Sequence, residues 1–189
     1  MPWIPLLSAL LVTLASAADP DYELIFVNTI WRHGDRSPQN LLPAGLDKLS
    51  EDDWDQGGGG LGQLTTVGME QHFKLGRLLR KRYVDSGFLS KRYRANEIYV
   101  RSTDFNRTLV SAQSNLHGMY SRLAANKPGI DFPSSTNWIT GLVPIPVHTV
   151  MHYSEDYEAN GDTKCKRNSQ IRGLIVNSTE FRAYNAIPQ

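Results

Sequence analysis

The feature that most constrains the fold is a short apolar run, Leu24-Ile25-Phe26-Val27, extended by Ile30 and Trp31. It is too short for a buried helix and does not alternate, so Glu23 to Trp31 reads as a strand covered on both faces. That is the position of a strand in a parallel sheet flanked by helices. The run gives way at once to Arg32-His33-Gly34-Asp35-Arg36-Ser37-Pro38. Charged and ionisable side chains are thereby concentrated at the strand's carboxyl end, where ligands bind in open α/β sheets.

Downstream elements fit the same class. Residues 39–62 hold Pro43, Glu51-Asp52-Asp53 and Gly57 through Gly60, and read as loop. No Gly-Lys-Ser/Thr follows these glycines, so a flexible loop is favoured over a phosphate cradle. Thr65 to Tyr83 is predicted to be an amphipathic helix. Val67, Phe73, Leu75, Leu78, Leu79 and Tyr83 form its stripe, while Arg77, Arg80, Lys81 and Arg82 face away or close the last turn. Thr65 or Thr66 can cap its start, and Gly87 lies beyond its end. A second short strand, Glu97 to Arg101, leads to a second helix over about Phe105 to Ala124, with Asp104 placed to cap it. Leu109, Ala112, Leu116, Met119 and Leu123 mark its buried face, and Pro128-Gly129 ends it. Leu142 to Val150 is a third extended segment that Pro144 and Pro146 keep from a central place. The expected fold is α/β, part of a mostly parallel sheet flanked by helices, in one domain over residues 19–189.

The first eighteen residues lie outside that domain. No charged side chain precedes Asp19, and the apolar stretch Leu6 to Leu14 is too short to span a bilayer. Ala15-Ser16-Ala17 follows with small residues at alternate positions, so residues 1–18 read as a secretory signal. Sequons at Asn106 and Asn177 agree with export to a secreted or lysosomal location. Cys165 is the single cysteine, and in an oxidising compartment its partner is expected outside this sequence. With 20 Lys and Arg against 19 Asp and Glu, the net charge of +1 supplies no overall field for nucleic acid or an anionic membrane. A charged substrate must be held by a local cluster.

Arg32, Arg36 and Arg101 provide one. Guanidinium groups match phosphate oxygens and stay charged at any relevant pH. Three of them converging would neutralise a phosphoryl group in transfer without a metal or organic cofactor. His33, between two of them, is placed to attack phosphorus and form a phosphohistidine. The same arginines should lower its pKa and keep it neutral in mild acid. The plainer reading makes Arg32 and Arg36 surface charges and His33 a satisfied polar residue. Spacing alone leaves both standing.

The motif from Arg32 to Pro38 after an apolar strand resembles the signature of the histidine phosphatase superfamily, acid phosphatase branch. Gly62-Gln63-Leu64-Thr65 with Gly68, Gln71, Leu75-Gly76 and Arg82-Tyr83 is similar to that branch's next block. Val100-Arg101-Ser102-Thr103-Asp104 with Asn106-Arg107-Thr108 resembles a third, and Pro144 to Thr149 a weaker fourth. The resemblance implies a secreted or lysosomal phosphomonoesterase of the prostatic and lysosomal type, often dimeric. Its nucleophile would be His33, and Arg32, Arg36 and Arg101 would bind the phosphoryl group of a small phosphate monoester. It also implies that the proton donor comes from a downstream His-Asp block. None of the five histidines here is followed by an acidic residue, so the chain is expected to be the N-terminal half of such a domain. Cys165 matches a family cysteine whose partner lies near the C-terminus. A non-catalytic secreted relative that binds phosphate esters is the alternative. His148 and His152 have the spacing of helical zinc ligands, but the prolines argue against a helix there. His72 and His117 read as helix surface or core residues.

Overall fold

The computed structural model describes residues 22–42, 49–149 and 165–187. The expected signal segment and His152 lie outside them. The chain divides into two units, Met1–Ile30 and Trp31–Gln189. In the first, residues 22–30 are irregular, and Leu24, Ile25, Phe26 and Ile30 are exposed. The strand expected there is not formed.

The second unit is organised by two helices. Helix α1, Thr66–Leu79, starts where expected: Thr65 is extended, and its hydroxyl accepts the Gly68 N–H. Its last turn continues as a π-helical turn, Arg80–Val84. Helix α2, Asn106–Tyr120, is capped by Phe105 without a side-chain hydrogen bond, so Asp104 is not the cap. Two shorter helices, α3 (Lys166–Val176) and α4 (Thr179–Asn185), follow and bury no residue.

The face that α1 buries differs from the aliphatic stripe read in the sequence. Val67, Phe73 and Leu78 are exposed, while Gly68, His72 and Gly76 are buried. The reason is the closeness of the crossing with α2. A Cβ on Gly76 would fall 2.9 Å from the Asn115 carbonyl carbon and 3.1 Å from Gly118 Cα. One on Gly118 would fall 3.0 Å from the Phe73 carbonyl carbon. Backbone packs on backbone here, which glycine permits and an aliphatic ridge would prevent. From α2, the expected Ala112, Leu116 and Met119 are buried together with Ser111, Asn115 and Tyr120. Met119 and Tyr120 cluster with Val84, and Ala112 and Leu116 with Val100.

No β-ladder forms among the described residues. Extended pairing is limited to isolated bridges, including an antiparallel one of Arg36 with Leu64 and a parallel one of Arg101 with His148. In the latter, Ser102 N–H donates to His148 O at 2.8 Å and His148 N–H to Val100 O at 2.9 Å. The segments expected as second and third strands therefore lie side by side in parallel, as an α/β plan requires, but one bridge is not a sheet. A parallel strand acquires its ladder only from neighbours on its flanks.

Candidate active site

The segment from Arg32 to Pro38 has no regular structure and is held by side chains of the elements around it. His72, on α1, donates Nε2–H to Arg32 O at 3.1 Å. Gly34 N–H donates to Ser111 Oγ on α2 at 3.2 Å, and that hydroxyl donates to Arg107 O at 2.6 Å. Asp35 N–H donates to Gln71 Oε1 at 2.9 Å. Thr65 grips Asp35 twice: its N–H donates to Asp35 O at 3.0 Å and its hydroxyl to Asp35 Oδ2 at 2.6 Å. Ser37, 2% exposed, donates through Oγ to Gly60 O at 2.9 Å and through N–H to Gln63 O at 2.9 Å. At the buried Ser37 these bonds satisfy groups that would otherwise be enclosed without a partner.

Glycine makes this approach possible. A Cβ on Gly34 would fall 2.5 Å from Gly68 O, and one on Gly68 would fall 2.8 Å from Asp35 N. The glycines at 57 to 60 all have positive φ, between 70° and 101°. They form a tight turn that presents Gly60 O to Ser37. This turn anchors the motif, which is more than the flexible loop read from sequence.

His33 is half-buried, and its Nδ1 lies 2.8 Å from Gly34 O. A carbonyl only accepts, so Nδ1 carries the proton and Nε2 keeps the lone pair. Burial first, and then the charges of Arg32, Arg107 and Arg36, hold the imidazole below the ordinary histidine value; its own contact with Gly34 O opposes them. The direction agrees with the lowering expected from the arginines, with desolvation as the larger cause.

Arg107 was not among the candidates drawn from sequence. It lies in the first turn of α2, its guanidinium is over the Phe105 ring at 4.5 Å, and Nη1 is 3.7 Å from where a Gly62 Cβ would stand. Its triplet reads first as a sequon, which hid it. The available signal was its place in a first helical turn directly after the Val100–Arg101 segment. Arg101 itself sits at the bridge to His148, whose ring stacks on Tyr99 at 4.7 Å. Arg36 donates Nη1–H to Ser37 O at 2.7 Å, and its Nε is buried with no acceptor among the described residues. His117 is half-buried, 3.3 Å from Ser121 Oγ, and belongs to the helix end.

Residues 23–184 match the histidine phosphatase superfamily, branch 2. The chain belongs to that family. Among relatives, it is 48% identical over 153 residues to lysosomal acid phosphatase of Xenopus laevis, covering 79% of this chain and 32% of that protein. It is 46% identical over 147 residues to human testicular acid phosphatase, covering 77% of this chain and 31% of the relative. Against human prostatic acid phosphatase it is 39% identical over 160 residues, or 85% of the chain and 38% of the relative. The chain therefore spans about a third of the length of these histidine phosphatases. Membership implies an α/β fold. Among the described residues, no helix is long and apolar enough to cross a membrane.

Proposed function

We propose that this chain carries the nucleophile and the phosphate clamp of an acid phosphatase acting on small phosphate monoesters. The observation behind the reading is His33. Its Nδ1 is committed to Gly34 O, its Nε2 keeps a lone pair, and Arg32, Arg36 and Arg107 set its charge environment. In the reaction, Nε2 attacks phosphorus as the ester P–O bond breaks, and the leaving oxygen takes a proton from an acid. Water then cleaves the P–N bond, releasing inorganic phosphate and restoring the imidazole. The guanidinium groups offset charge on the phosphoryl oxygens throughout. Arg107 is favoured over Arg101 as the third guanidinium because Ser111 Oγ ties its carbonyl to Gly34 N–H beside His33, and its charge also bears on that ring. Arg32 and Arg36 keep the role read from sequence.

Relatives named lysosomal and prostatic support entry into the secretory pathway. In that setting, residues 1–18 act as the signal. Asn106, exposed at the start of α2, and Asn177, exposed at the end of α3, are the glycan acceptors. Cys165, directly before α3, is the disulfide candidate.

A second reading is a binder of phosphate esters without turnover, which would use the same guanidinium groups and leave His33 unphosphorylated. One experiment separates the two. A dinitrophenyl phosphate needs little acid help because its phenolate leaves unaided. Incubation with this ester and an alkaline quench should trap phosphohistidine in the parent and none in His33→Ala. Phosphohistidine retained in the variant would overturn the nucleophile assignment. Phosphate binding without phosphohistidine in the parent would favour the binder.

A further inference from the structure

His72 is an enclosed ionisable group that the chemistry above does not use. It is 4% exposed and lies between Gly68 and Gly76 on the α1 face that meets both the motif and α2. Its Nε2 is 3.1 Å from Arg32 O, so Nε2 carries the proton and donates. Its Nδ1 is buried with no hydrogen-bond partner among the described residues. An aliphatic side chain would fill the same space without burying an unsatisfied nitrogen, so packing alone does not account for an imidazole here.

The carbonyl it holds has a particular place. Arg32 C=O and His33 N–H belong to one peptide plane, and the Arg32 and His33 side chains diverge from its two ends. Fixing that carbonyl fixes the plane. We propose that His72 is a positioning residue, whose Nε2–H locks the Arg32–His33 peptide so that nucleophile and first guanidinium keep one mutual orientation. Burial first, and more weakly the nearby His33, hold the His72 imidazole below the ordinary histidine value, while its own bond to Arg32 O opposes them. The inference about catalysis rests on the phosphatase reading; the inference about the peptide does not.

Side-chain reach provides the test. The amide nitrogen of glutamine stands where histidine Nε2 stands, that of asparagine only where Nδ1 stands, and leucine has no donor. His72→Gln, His72→Asn and His72→Leu are therefore compared in the full chain by two measurements. In 15N NMR, the parent should show His72 protonated at Nε2. The His33 amide resonance, which senses the hydrogen bond on the preceding carbonyl, should stay in place in the glutamine variant and move in the other two. With dinitrophenyl phosphate, the rate of phosphohistidine formation should fall about 10- to 100-fold in the asparagine and leucine variants, and return to within about threefold of the parent with glutamine. Thermal midpoints, measured alongside, should not follow that order, because leucine packs at least as well as glutamine. Equal behaviour of the glutamine and leucine variants in both measurements would overturn the proposal, as would a parent His72 protonated at Nδ1. A parent that forms no phosphohistidine would refute the phosphatase reading, and the NMR comparison would still decide whether His72 holds the peptide.

Discussion

Replacing Gly68 with alanine adds one methyl group at the contact between α1 and the motif. The new carbon would stand 2.7 Å from Leu64 Cδ1 and 2.8 Å from Asp35 N. Comfortable separation between such atoms is about 3.5 Å or more, so something must move by about 1 Å. Leu64 can turn, but Asp35 cannot yield cheaply. Its N–H is held by Gln71 and its carbonyl by Thr65, both on or beside the helix that carries the methyl. Overpacking of this kind costs about 1–3 kcal/mol, and each hydrogen bond lost adds about 1 kcal/mol. Alanine recovers about 1 kcal/mol of helix propensity. A net loss of about 1–3 kcal/mol should lower the melting midpoint by roughly 2–4 °C per kcal/mol in a chain of this length. Gly173 on α3 is the control, because a Cβ there meets nothing within 4 Å. Gly173→Ala should be neutral or raise the midpoint by stabilising the helix by about 0.5–1 kcal/mol. The same 1 Å shift carries His33 with Asp35, so phosphohistidine formation in Gly68→Ala should fall by about 100-fold. A Gly68→Ala protein that melts with Gly173→Ala, or phosphorylates at the parental rate, would refute the close-contact argument.

Arg107→Ala should weaken vanadate binding by about 10-fold or more, and Arg101→Ala by less; calorimetry that reverses the order would return Arg101 to the clamp. Ser111→Ala removes the hydroxyl joining Gly34 N–H to Arg107 O, and should cost about 1–3 kcal/mol in urea unfolding, since Ser111 is 1% exposed. His33, His72 and His117 are all held below their ordinary value of 6.5, in each case chiefly by burial. The unfolded chain therefore takes up protons first as pH falls through about 6.5, so stability should be full above that pH and decline toward the folded-state values. Melting curves between pH 7.5 and 5 should show this decline, with a shallower slope in His117→Gln; a midpoint independent of pH would contradict it.

The site was legible where chemistry is written in residue type. The cap at Thr65 and the face of α2 at Ala112, Leu116 and Met119 stand as the sequence implied, and the motif holding Arg32, His33 and Arg36 is where the proposed chemistry is placed. The buried face of α1 was misread, because hydrophobic periodicity measures greasiness and this crossing is set by the absence of side chains at Gly76 and Gly118. Arg107 was obscured by the sequon it shares with Asn106. Asp104 was expected to cap α2 because its side chain suits that place, yet the helix starts one residue too late for it. The run 22–30 carries the pattern of a buried strand, but pattern records only what a segment can bury. The ladder depends on neighbours elsewhere in the chain.

The close contacts at Gly34, Gly68, Gly76 and Gly118 also have a genetic consequence. Glycine codons vary freely at the third base, and every change that replaces glycine adds a Cβ or truncates the chain. At each of these four positions a Cβ lands on backbone, and only at Gly68 does it also meet a side chain able to swing aside, Leu64. Such codons have no conservative neighbour, so a single missense change there strikes the helix crossing or the motif directly, although no reacting group is altered.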